Sequence, residues 1–198
     1  MSKKFPNIHQ YEKAFLKKSN NLFDSLRGIK VIPSHNVPTK MFAYGSGSYA
    51  VVFKAEEYNG DVAIRCFLAE IDEIQERYQA IEEHCKDRNL DWYKPCQFYD
   101  NEILIDGHRY PLLKMSWSRG DNLLDYINKN ILNRDKLGAL QTKLADLSDS
   151  LETNNIGHGD IQAGNIFVEE VMGKITLSLV DYDNMYSPSI SDLGSKEL

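Results

Sequence analysis

The stretch His158-Gly159-Asp160-Ile161-Gln162-Ala163-Gly164-Asn165 lies between a leucine-striped segment and a β-branched run that ends in Val180-Asp181-Tyr182-Asp183. An Asp and an Asn five positions apart, followed by another Asp after a hairpin-length interval, suit the holding of metal-bound phosphates. In that arrangement Asp160 can accept a proton from an attacking hydroxyl, while Asn165 and Asp181 supply oxygen ligands to Mg²⁺. A His-Gly-Asp triplet alone is more often a solvated acidic turn, so the weight falls on what else the chain carries and in what order.

Immediately upstream, Leu137, Leu140, Leu144, Leu147 and Leu151 recur at steps of three and four behind a capping Asn133, and Asn154, Asn155 and Gly157 close the run. This predicts a helix with one core-facing stripe; at about two heptads it is too short to favour a coiled-coil seam. A shorter helix is expected between Asp121 and Asn130, using Leu123, Leu124 and Ile127. Downstream, Ile166-Phe167-Val168 and Ile175 to Val180 read as two strands around Met172-Gly173, which deliver Asp181 to the same mouth as Asn165.

Further towards the N-terminus the pattern becomes strand, glycine turn, strand. Met41 to Tyr44 and Ala50 to Ala55 flank Gly45-Ser46-Gly47-Ser48-Tyr49, and a turn at Asn59-Gly60 feeds Val62 to Phe67. A glycine tip lets backbone amides approach a triphosphate closely, although Gly-x-Gly between strands also makes an ordinary tight hairpin. Ile71, Ile74, Tyr78, Ile81 and Cys85 predict an amphipathic helix. Cys96 towards Ile105 and Tyr110 to Met115, joined at Asp106-Gly107, predict two more strands, giving a five-stranded antiparallel sheet with one helix. Before all of these, a helix is expected over Gln10 to Lys18 with Tyr11, Ala14 and Phe15 on one face, then a break at Asn20-Asn21 and an apolar Leu22 to Leu26.

In this order, the motifs resemble the protein-kinase superfamily. His158-Gly159-Asp160 with Asn165, and Asp181-Tyr182-Asp183 followed by Met185-Tyr186-Ser187-Pro188, are similar to a group of bacterial Ser/Thr kinase-like domains. The resemblance spans roughly residues 40 to 198. It implies an α+β, kinase-like bilobal fold, with an N-terminal helical extension over 1–40, an N-lobe with its hinge over 41–118 and a partial, mainly helical C-lobe over 119–198. It implies ATP and Mg²⁺ as cofactors, Asp160 as catalytic base, and Asn165 and Asp181 as metal ligands. It also implies nucleotide contacts from Gly45 and Gly47 in the glycine loop, Val52 and Ala63 as roof, Phe167 as floor, and Arg65 in place of the ATP-binding lysine. Lys114 to Gly120 would be the hinge, with Met115 as gatekeeper and backbone groups of Ser116 and Ser118 holding adenine. The carboxylate paired with Arg65 is left between Glu76, suggested by the resemblance, and Glu82, favoured by helical phase.

The departures from the family pattern divide the functional expectation. Ala50 replaces the third loop glycine, Gly159 an arginine that pairs with a phosphorylated segment, Gln162 a lysine that supports the transferring phosphate, and Asp183 the last glycine of Asp-Phe-Gly. An ATP-dependent phosphotransferase of the Ser/Thr protein-kinase type, transferring the γ-phosphate to a hydroxyl of a protein or small molecule, is the first reading. A nucleotide-binding pseudokinase with a regulatory role, a small-molecule kinase and an incomplete, inactive gene product are the alternatives. The chain stops ten residues after Pro188, short of a full C-lobe. That truncation is expected to leave the Leu137 to Leu151 helix exposed to self-association or a partner.

Composition sets the outer bounds. Of the 198 residues, 42% are hydrophobic and 26% charged, an ordinary globular balance. A net charge of −6 argues against general affinity for nucleic acid or anionic membrane. Cys66, Cys85 and Cys96 lack metal-ligand spacing and read as reduced, packed thiols. With no apolar run near ~18 residues and no apolar segment after Met1, a cytoplasmic location is expected.

Overall fold

The computed structural model describes residues 4–17, 19–34 and 39–190. Lys18, at the end of the expected first helix, and residues 191–198 lie outside the described residues. Along the chain the elements are α1 (Ile8–Lys17), β1 (Lys30–Val31), β2 (Ala43–Ser46), β3 (Ala50–Glu57), β4 (Gly60–Phe67), α2 (Ile74–Cys85), β5 (Cys96–Ile105) and β6 (His108–Ser116). There follow β7 (Asp121–Asn122), α3 (Leu123–Lys129), α4 (Arg134–Thr153), β8 (Ile166–Val171), β9 (Lys174–Leu179) and a 3₁₀ turn at Pro188–Ile190. The fold is therefore mixed α+β. The chain divides into two compact units, the first built from Met1–Gln75 and Cys96–Trp117, the second from Glu76–Pro95 and Ser118–Leu198.

The first unit is an antiparallel sheet in the order β1-β3-β4-β6-β5, with β2 also on β3. Strands β3 and β4 pair along their whole length, Ala50 opposite Phe67 and Glu57 opposite Gly60. The β5–β6 turn is Asp106-Gly107, both residues at positive φ, as a two-residue hairpin whose twist matches its strands requires. All five expected strands are present. The sixth, β1, lies beside β2 along the same edge of β3, with Val31 opposite Ala55; two residues carry no periodicity by which a sequence could announce them.

The N-terminal segment is part of this unit's core. Tyr11 and Phe15 on α1 are buried, with the Phe15 ring edge-on to Phe53 at 4.7 Å and the Tyr11 hydroxyl donating to the Phe67 carbonyl at 2.7 Å. Leu22 to Leu26 is not helical; it lies along β5, bridging Phe23 to Ile103. Two buried carboxylates fasten the irregular backbone. Glu12 accepts from the Met41 and Phe42 amides at 2.7 and 2.9 Å. Glu102 accepts from the Ser25 and Leu26 amides at 2.8 and 2.7 Å, and from the Ser25 hydroxyl. Each satisfies donors that no strand partner reaches.

In the second unit, α4 buries Leu140 and Leu147 and half-buries Leu137, Leu144 and Leu151, the expected stripe. Its N-cap, Asn133, accepts from the Lys136 amide at 3.1 Å. Strands β8 and β9 form a hairpin across Met172-Gly173, and β7 adds a short third strand, Asp121 opposite Val168. Helix α2 buries Tyr78, Ile81 and Cys85. All three cysteines are buried and none is in a disulfide; burial pushes the Cys85 thiol up to about 11, partly opposed by Arg88, and the Cys66 thiol higher still. Among the described residues no helix is long and apolar enough to cross a membrane.

Replacing Glu102 by Ala strands buried backbone donors, and a charged acceptor of this kind is worth about 3 kcal/mol. Urea unfolding of Glu102→Ala is expected to show a loss of that size.

Candidate functional site: the Asp160 loop

The loop begins where α4 ends. Ile156 donates its amide to the Leu151 carbonyl at 2.9 Å, and the chain then turns under Tyr186, exchanging two backbone hydrogen bonds between Gly157 and Tyr186 at 3.0 and 2.6 Å. His158 is buried, and its Nε2–H donates to the Val180 carbonyl at 3.1 Å. The Val180 amide in turn donates to the Asn165 carbonyl at 3.0 Å. One peptide segment thus ties both ends of the loop to the residue preceding Asp181.

Within the loop, side chains gather on Asp160. Asn165 Nδ2 donates to Asp160 Oδ2 at 2.8 Å and to the Asp160 carbonyl at 3.1 Å. Gln162 Nε2 donates to the same Oδ2 at 2.9 Å. Because Asn165 commits its nitrogen to Asp160, its Oδ1 is the atom left to meet a cation. Asn165 Oδ1 and the Asp181 carboxylate are hard oxygen donors of the type Mg²⁺ takes, so the residues present fit that ion. Among the described residues no three His, Cys, Asp or Glu side chains gather as a metal cluster, and the candidate set instead combines a carboxamide with a carboxylate.

Asp181 has φ +66°, a left-handed conformation that costs a non-glycine residue about 1–3 kcal/mol. Its neighbours hold it there. Tyr182 is fully buried, donates to the Leu179 carbonyl at 2.8 Å, accepts from the Lys94 amide at 2.9 Å and stacks on Tyr93. Asp183 accepts from the Tyr78 hydroxyl on α2 at 2.7 Å, and Arg77 donates to the Met185 carbonyl at 3.2 Å. These contacts, more than a hundred residues apart in sequence, have no local signature; the Asp-Tyr-Asp string marks only one side of them.

Gly159 has a second meaning beyond an absent arginine. It sits at φ +78°, and a Cβ there would fall 2.2 Å from the Asn184 carbonyl oxygen. The segment after Asp181 passes too close for any side chain at 159.

The other expected residues are distributed as follows. Phe167 is half-buried on β8, opposite Ser178 and Asn122. Ser118 is buried, and its Oγ has no hydrogen-bond partner among the described residues. Glu76 is on the exposed face of α2, whereas Glu82 accepts from the Tyr93 hydroxyl. In the first unit, Gly45 on β2 lies opposite Val52, and the Gly47 amide closes the turn on the Ala50 carbonyl at 2.9 Å. Arg65 is half-buried between Val52 and Leu113 on the adjacent strands, and buried Ala63 pairs with Met115. Ser116 is exposed at the end of β6. Trp117 packs edge-on to Tyr44 at 4.6 Å with Lys54 Nζ 5.1 Å from its ring centre.

Burial lowers the His158 pKa from its ordinary 6.5, outweighing the Val180 hydrogen bond and the attraction of Asp181 and Asp160. The unfolded chain therefore binds this proton more readily. The stability that depends on neutral His158 is present above pH 6.5 and is lost as pH falls through the lowered folded-state value. A His158→Gln variant is expected to show a flatter stability profile over that acidic window in urea titrations at stepped pH. Gly159→Ala is expected to cost roughly 2–5 kcal/mol, from overpacking and a strained φ together. Gly164→Ala, with nothing within 4 Å of the added Cβ, is expected to stay within about 0.5 kcal/mol of the parent in the same assay.

No protein-family model and no characterised protein matches the chain in sequence, which leaves the geometry of the Asp160 loop as the basis for assigning it a chemistry.

Proposed function

We propose that the protein is an ATP-dependent phosphotransferase of the protein-kinase type, with a kinase-like bilobal fold, moving the γ-phosphate to a hydroxyl of a protein or small molecule. The observation that carries this reading is the joint fastening of Asp160, Asn165 and Asp181. Asn165 orients Asp160, and the amide of Val180, one residue before Asp181, donates to the Asn165 carbonyl. Bound Mg²⁺ would neutralise phosphate charge, with Asn165 Oδ1 and Asp181 holding it. Asp160 has Oδ2 occupied by two donors, and Oδ1 remains to orient an acceptor hydroxyl and take its proton.

In the first unit, the glycine turn supports nucleotide contact in a limited way. A Cβ at Gly45 or Gly47 would meet nothing within 4 Å, and neither residue has positive φ. The fold itself thus makes no demand for glycine there, consistent with close approach by a bound anion. Within this unit, Val52, Ala63, Arg65 and Ser116 keep the nucleotide roles the resemblance gives them.

A second reading, a nucleotide-binding module without transfer, is favoured by Gln162. Its neutral carboxamide is directed onto Asp160, and residues 156–166 contain no Lys or Arg to stabilise the transferring phosphate.

Thermal unfolding with Mg²⁺-ATP tests both readings: a ligand at ~100 times its dissociation constant adds about 2.7 kcal/mol of stability. A shift of that order is expected, and its absence would sink both. Transfer of label from γ-labelled Mg²⁺-ATP, to the chain's own hydroxyls or to water, then separates them. The parent is expected to transfer and Asp160→Asn to lose at least about 100-fold, while binding with no transfer by the parent would leave the module reading.

A further inference from the structure

We propose that Gln162 is a positioning residue for Asp160, fixing the plane of its carboxylate so that Oδ1 alone faces the acceptor hydroxyl. This rests on the phosphotransferase reading above and assigns Gln162 a role of its own instead of treating it as a missing lysine.

The terminal torsion of an Asp side chain is broad and roughly two-fold, so a single donor leaves the carboxylate free to rock or to exchange its oxygens. Here two carboxamides, from two and five residues further along the chain, converge on the same oxygen at 2.9 and 2.8 Å. Two donors on the one oxygen hold the carboxylate against that exchange. The two donors are not equivalent. Asn165 also donates to the Asp160 carbonyl, and its Oδ1 is the candidate cation ligand, so any adjustment it makes to a metal is transmitted to Asp160. Gln162 has no such second duty. It is exposed, and its side chain makes no other hydrogen bond among the described residues. It therefore keeps Asp160 oriented whether or not Asn165 is drawn to a cation. A reacting oxygen displaced by about 1 Å can cost about 100-fold in rate, which sets the scale of what this bond protects.

The test uses the full chain and two readouts. In metal-free protein, the side-chain NH₂ resonance of Gln162 is expected away from the free-amide position and to move to it in Asp160→Ala; a resonance already at the free position overturns the proposal. In transfer assays with γ-labelled Mg²⁺-ATP, Gln162→Met keeps the shape and removes the donor. It is expected to lower kcat about 10- to 100-fold while KM for Mg²⁺-ATP stays within about twofold and the melting temperature is unchanged. An active parent with an equally active Gln162→Met overturns the positioning role alone. A parent that binds Mg²⁺-ATP and transfers nothing overturns the phosphotransferase reading and this role with it.

Discussion

The peptide groups of Val180 are the constraint on which the second unit's site depends. The carbonyl receives the His158 ring and the amide reaches the Asn165 carbonyl, so a strand end becomes the splint for a loop of eight residues. A loop of that length with two glycines would otherwise sample many conformations, and closing it costs backbone entropy at each residue. The splint works because β9 is itself fixed, by the β8 hairpin on one edge and by the Leu179 amide on the Trp92 carbonyl at 2.9 Å on the other. His158 shows why burial matters here. Held neutral, it can donate from Nε2 to Val180 without placing a charge beside Asp160 and Asp181.

The first unit solves a different problem with similar means. Its N-terminal segment runs along the sheet without the regular pairing that would satisfy its amides. Glu12 and Glu102, both buried, act as local substitutes for strand partners. A buried carboxylate is costly unless it is fully hydrogen-bonded, and here each receives converging backbone donors. Tyr11 and Phe15 then add α1 to a core that the strands otherwise supply, through ring contacts with Phe53 and Phe42.

Much of this was legible in the residues. The three- and four-step leucines gave α4, the paired turn residues Asp106-Gly107 and Met172-Gly173 gave two hairpins, and the Asp160 to Asn165 spacing gave the loop whose hydrogen bonds close on themselves. Short-range rules sufficed because each of these elements is defined by neighbours within a few positions. The non-helical course of Leu22 to Leu26 was not legible, since its partners on β5 lie some eighty residues away. Nor was the Tyr78 bond to Asp183, or the two-residue β1. Gln162 was visible only as a departure from a resemblance; its actual engagement with Asp160 depends on a rotamer that spacing does not specify.

The contact at Gly159 bears on how such a chain can change over generations. With the Asn184 carbonyl oxygen 2.2 Å from where a Cβ would sit, no single substitution can introduce an arginine, or even an alanine, without displacing the segment that follows Asp181. Control by a phosphate-reading side chain at this position is therefore separated from the present sequence by a coordinated rearrangement of both segments, a barrier for point mutation but none for recombination that exchanges them together.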